Sequence, residues 1–127
     1  MTRADDDIIR QTLAALLEHP DHSGWAVLMG DDCHLRIGNR APAVEKIASL
    51  RQLMRLFDAL ESVGGSFLDY WSCADTLLVE TEFTFHAEHG GLGTIPCAII
   101  VRHTSGLIRD IRIMLDPEPI RHRLPFG

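Results

Sequence analysis

Hydrophobic and polar side chains alternate from Thr76 to His86, with Leu77, Val79, Thr81, Phe83 and Phe85 on one side and Leu78, Glu80, Glu82, Thr84 and His86 on the other. A period of two belongs to a β-strand whose faces meet different surroundings, so the face bearing Val79, Phe83 and Phe85 is expected to be buried. His89-Gly90-Gly91 and Thr104-Ser105-Gly106 lie between runs rich in Ile, Val, Thr and Phe. Their residues tolerate positive φ, so each can reverse the chain. Residues 76–119 therefore read as a three-stranded antiparallel meander.

Ahead of the meander the spacing changes. Ile8, Ile9, Thr12, Leu13, Leu16 and Leu17 recur at helical intervals behind Asp5, Asp6 and Asp7. This predicts a first helix over residues 5–18 with acids at its positive end. Pro20 stops it, Ser23 is the expected cap of a short helix over 24–29, and Gly30-Asp31-Asp32 is the expected turn into a strand over 33–37. Val44, Ile47, Leu50, Met54, Phe57 and Leu60 then mark a third amphipathic helix over 43–60, and a strand is expected over 67–73. The tail from Pro117 shows no periodicity. Helices grouped ahead of a mostly antiparallel sheet make an α+β chain, and 127 residues suit one domain over 1–127.

Composition narrows the function more than the fold. Eighteen acidic and twelve basic residues give a net charge of −6, and the arginines are scattered, so no footprint for nucleic acid is visible. The polar, acidic start and the lack of a long apolar run predict a cytoplasmic protein with no membrane association. Cys33, Cys73 and Cys97 are odd in number and contain no CxxC pair, which predicts buried free thiols. His19 and His22 flank Pro20, and His86 and His89 run into a turn, so neither pair has helical metal-ligand spacing. No metal and no cofactor are expected.

The phrases Gly30-Asp31-Asp32-Cys33-His34-Leu35-Arg36-Ile37-Gly38-Asn39, Val79-Glu80-Thr81-Glu82-Phe83-Thr84-Phe85, Ile95-Pro96 and residues 106–117 resemble the nuclear transport factor 2-like superfamily. The likeness is to its SnoaL-like branch of polyketide cyclases, ketosteroid isomerases and limonene epoxide hydrolases. It implies a strongly bent, mostly antiparallel sheet forming a cone closed by three N-terminal helices, in the manner of a cystatin-like α+β barrel. It also implies an interior holding a small hydrophobic molecule and a homodimer built through the outer sheet face. The implied pocket lining is Trp25, Met29, Leu35, Ile37, Trp71, Phe83, Ala98, Ile111 and Ile113.

The same resemblance argues against its best-known chemistries. A ketosteroid isomerase needs a carboxylate base, a Tyr and a protonated Asp; the matching positions here read Ile37, Thr12 and Ala98. The Asp-Arg-Asp group of the epoxide hydrolases falls on Phe83, Thr81 and Ile113. Two readings stay open. One is a binding module with an apolar interior. The other is a lyase, isomerase or hydrolase with a nonstandard acid/base set drawn from Asp69, Tyr70, His34 and the meander acids. Tyr70 and Trp71 are adjacent, so only one can point inward. Asp69 would have a raised pKa if it entered an apolar pocket. His34 and Arg36 face outward if Leu35 and Ile37 face inward, and Glu80, Glu82 and His86 read as an outer face beside Asp110 and Arg112.

Overall fold

A computed structural model describes residues 3–60, 64–87 and 90–123. Its order is α1 (Arg3–Glu18), α2 (His22–Leu28), β1 (Met29–Ile37), α3 (Lys46–Leu60), β2 (Gly64–Cys73), β3 (Thr76–His86), β4 (Leu92–Thr104), β5 (Leu107–Leu115) and a 3-10 helix η1 (Glu118–Arg123). The strands form one five-stranded sheet in the order β1-β5-β4-β3-β2. β2 through β5 pair antiparallel, whereas β1 joins β5 in parallel, so the sheet is mixed. It is an α+β fold with helices on one face, and the sheet does not close on itself.

The meander forms as its alternation requires. Leu77, Val79, Thr81, Phe83 and Phe85 are buried, and Ile95, Cys97, Ile99, Val101, Ile108, Ile111 and Ile113 extend that surface across β4 and β5. The turn from β4 to β5 is built on Ser105 and Gly106, at φ 54° and 81°. His89, in the other expected turn, lies outside the described residues. Onto the inner face pack α1 over β2 and α3 over β1 and β3. Trp25 of α2, Phe57 of α3 and Phe83 of β3 join these layers, with ring centroids 6.0 and 5.9 Å apart. Buried hydroxyls are satisfied: Ser49 donates to the Cys33 carbonyl and Thr81 to the Ser66 carbonyl, each at 2.7 Å. The first ties α3 to β1, and the second ties β3 to β2.

Several local expectations are corrected. The cap of α2 is Asp21, whose carboxylate accepts from the Gly24 amide, so Ser23 lies inside the helix. Gly30, Asp31 and Asp32 belong to β1 and do not form a turn; a register irregularity between Met29 and His34 absorbs them. α3 begins at Lys46, where Glu45 receives the Ile47 and Ala48 amides, and Ala43 instead bridges to Leu35. Its buried stripe runs through Leu50, Leu53, Leu56, Phe57 and Leu60, leaving Val44 and Ile47 exposed. Leu53 and Leu56 widen the expected stripe, while Val44 precedes the helix and Ile47 lies on its solvent side. β2 begins at Gly64, earlier than expected, and Cys73 is exposed at its end. The aperiodic tail contains η1, pinned by a fully buried Ile120.

Candidate ligand site

Where β1 ends, the chain turns sharply beside the end of β5. Gly38 sits at φ 59°, in the left-handed region that glycine enters without a Cβ penalty. Its amide donates to the Ile113 carbonyl at 2.8 Å, the Arg40 amide donates to the Ile37 carbonyl at 3.2 Å, and Arg36 Nε donates to the Arg40 carbonyl at 3.0 Å. These bonds hold a rigid loop at one end of the helix–sheet sandwich. Between that loop, α3 and the start of the tail lies a cavity of about 480 Å³, lined by Ile37, Gly38, Asn39, Arg40, Leu56, Leu115 and Pro117. Its body is apolar, and its polar side chains, Asn39 and Arg40, are on the loop. A few hundred cubic ångströms of mostly apolar space with a small number of polar groups is the usual form of a small-molecule site.

Of the lining implied by the sequence, only Ile37 borders this cavity. Trp25, Met29, Leu35, Phe83, Ile111 and Ile113 are buried in the core, among side chains that fill the sheet's inner face. Ala98 and Trp71 lie on the outer face. Ala98 is paired between Glu80 and Met114, and Trp71 opposite Leu78. Leu56, Leu115, Pro117 and the 38–40 loop had no signal as lining residues. Leu56 lies outside the expected stripe of α3, and Leu115 and Pro117 lie where periodicity stops.

The three acid/base candidates do not converge. A bulge between Phe67 and Asp69 resets β2, so Asp69 pairs with Glu80 on the outer face and Tyr70 pairs with Val79 on the inner one. Tyr70 ends at the sheet edge beneath α1, half-exposed, with the Arg10 guanidinium 4.7 Å from its ring centre and Phe67 at 6.1 Å. His34 is exposed on the outer face, paired in register with Asp110. Asp110 Oδ2 receives Arg102 at 3.1 Å and Arg112 at 3.3 Å.

Nucleophilic chemistry from the buried thiols is also disfavoured. Cys33 is pushed up to about 12, first by burial and then by the negative charges of Asp110 and Asp32, against a smaller lowering by Lys46. Burial alone takes Cys97 to about 12. Both are thiols at neutral pH, and the thiolate is the reactive form. Among the described residues no three His, Cys, Asp or Glu side chains gather to hold a metal ion, and no helix is long and apolar enough to cross a membrane.

No protein-family profile matches the chain, and no curated protein matches it in sequence. Solved structures do match in shape. An NTF2-like protein of unknown function from Cytophaga hutchinsonii superposes with a TM-score of 0.75 at 10% identity, covering 91% of this chain and 100% of its own. A protein with a ketosteroid isomerase-like fold from Catenulispora acidiphila, solved with trimethylamine, gives 0.74 at 14% identity and covers 91% of each chain. A proposed SnoaL-like polyketide cyclase from Jannaschia gives 0.68 at 11% identity, covering 92% of this chain and 91% of its own. At these identities the agreement is one of fold: the chain has the NTF2-like fold.

Proposed function

We propose that this chain is a binding module that holds a small hydrophobic molecule in the cavity between Ile37, Leu56 and Leu115. One observation carries the reading: the cavity has an apolar body, and among the described residues Arg40 is the only ionisable side chain on its lining. General acid/base catalysis needs a proton donor or acceptor within hydrogen-bond reach of the substrate. Asp69, Tyr70 and His34 lie on two faces of the sheet, away from this lining. The lyase, isomerase or hydrolase reading keeps only His34, which lines an open polar depression on the outer face with Asp32, Asp110, Arg102, Arg109 and Arg112, apart from Asp69 and Tyr70. A reducing compartment such as the cytoplasm suits the free thiols Cys33 and Cys97. Titration with the uncharged fluorophore N-phenyl-1-naphthylamine tests the proposal. Saturable binding of one molecule per chain, abolished by Leu115→Arg in a protein of unchanged circular dichroism, is the expected result. Binding that survives Leu115→Arg, or none at all, refutes it.

The partner we propose is a second copy of the chain, docked through the outer sheet face. That face is banded. Asp69, Glu80 and Glu82 lie on the β2–β3 side, Arg36, Arg102 and Arg112 on β1, β4 and β5 around the one acid Asp110, and Trp71, Leu78, Ala98, Ile100 and Met114 between and among them. Trp71 is 53% exposed and Met114 46%. A two-fold axis along the strands lays β3 of one copy over β5 of the other and sets acids opposite bases. An axis across the strands would set β3 on β3, like charge on like. Sedimentation velocity should show a dimer that weakens with salt and becomes a monomer in Ile100→Arg. A wild-type monomer across the micromolar range would refute this assembly.

A further inference from the structure

On the solvent side of α3 a second depression, of about 450 Å³, runs between α2 and α3 and is lined by His22, Ile47, Leu50, Arg51, Met54, Arg55 and Asp58. Helical geometry orders its walls. Ile47, Arg51 and Arg55 form one i, i+4 ridge and Leu50, Met54 and Asp58 the next. The groove therefore has an apolar end at Ile47 and Leu50, and its charged side chains, Arg51, Arg55 and Asp58, follow towards the other end. Leu50 is buried at its floor, whereas Ile47 is left 66% exposed on its rim. Neither Arg51 nor Arg55 has an ion-pair or hydrogen-bond partner among the described residues.

Two guanidiniums against one carboxylate give the charged end a net positive charge of one, within a chain of net charge −6. Guanidinium groups match carboxylates in shape as well as in sign. We propose that this groove binds an amphipathic monoanion of the fatty-acid type, its alkyl chain lying on Ile47, Leu50 and Met54 and its carboxylate on Arg51 and Arg55. Asp58 sets the charge balance at one, which disfavours dianionic heads. The site shares α3 with the mouth cavity but none of its lining residues. It is also on the helical layer, so docking through the outer sheet face leaves it open.

Titration of methyl-labelled protein with laurate and with dodecanol, followed by NMR, tests the site directly. Shifts at Ile47, Leu50 and Met54 report the groove, and shifts at Ile37, Leu56 and Leu115 report the mouth cavity, so the two sites stand or fall separately. Laurate is expected to saturate the groove methyls with at least tenfold higher affinity than dodecanol. Arg51→Gln with Arg55→Gln, both exposed positions where substitution spares the fold, should bring laurate down to the level of dodecanol. Laurate that shifts only the mouth methyls, or that binds the groove as tightly in the double variant, overturns the proposal.

Discussion

The two faces of the one sheet differ more than any two elements of the chain. On β3 the inward residues Leu77, Val79, Thr81, Phe83 and Phe85 are at most 6% exposed, while Glu80 and His86, one position away, are open to solvent. On β4 a milder contrast separates the buried Ile99 and Val101 from the half-buried Ala98 and Arg102. The inner face packs against its own helices, and its described central side chains are buried. The depressions at the Gly38 mouth and on the solvent side of α3 lie where that packing ends, and the proposed binding sites use them. In this molecule the core specifies the fold, and the proposed contacts fall on its margins.

Breaking the inner face should cost most. Phe83→Ala removes the middle of the Trp25–Phe57–Phe83 contact chain and is expected to lower stability by about 3–5 kcal/mol in urea unfolding. Alkali should probe the same face through its thiols. Folded-state values near 12 against an ordinary 9.0 mean that the folded protein retains protons that the unfolded chain gives up. The stabilisation is complete below about pH 9 and is lost as the pH climbs towards 12. The slope of stability against pH in that window should accordingly be shallower in Cys97→Ala than in the wild type. Before unfolding, Cys73 alone should react with a thiol reagent, since Cys33 and Cys97 are buried. Thr81→Val leaves the Ser66 carbonyl without its donor and should cost about 1–3 kcal/mol. Smallest of all, Trp71→Ser on the outer face should change monomer stability by no more than about 0.5 kcal/mol while weakening the dimer in sedimentation.

Those contrasts also explain what the sequence disclosed. Alternation along residues 76–86 is a direct consequence of one buried and one wet face, so the meander and its inward set were legible residue by residue. The 3.6 period revealed α3 and the stripe through Leu50, Met54, Phe57 and Leu60, but not the width of the buried face, which also takes in Leu53 and Leu56, nor the exposure of Val44 and Ile47. β2 misled for a different reason. Its bulge at Leu68 shifts the pairing between Phe67 and Asp69, and the faces of Asp69, Tyr70 and Trp71 depend on that shift. The mouth cavity was least legible. It is made by a left-handed glycine, the second half of α3 and the end of β5, which meet only in three dimensions.

The most direct test of the mouth cavity as a binding site is native mass spectrometry of the purified protein beside its Leu115→Arg variant. The account predicts an apolar adduct, one per chain, that is released on denaturation and missing from the variant. An adduct retained equally by both proteins would place binding elsewhere and contradict it.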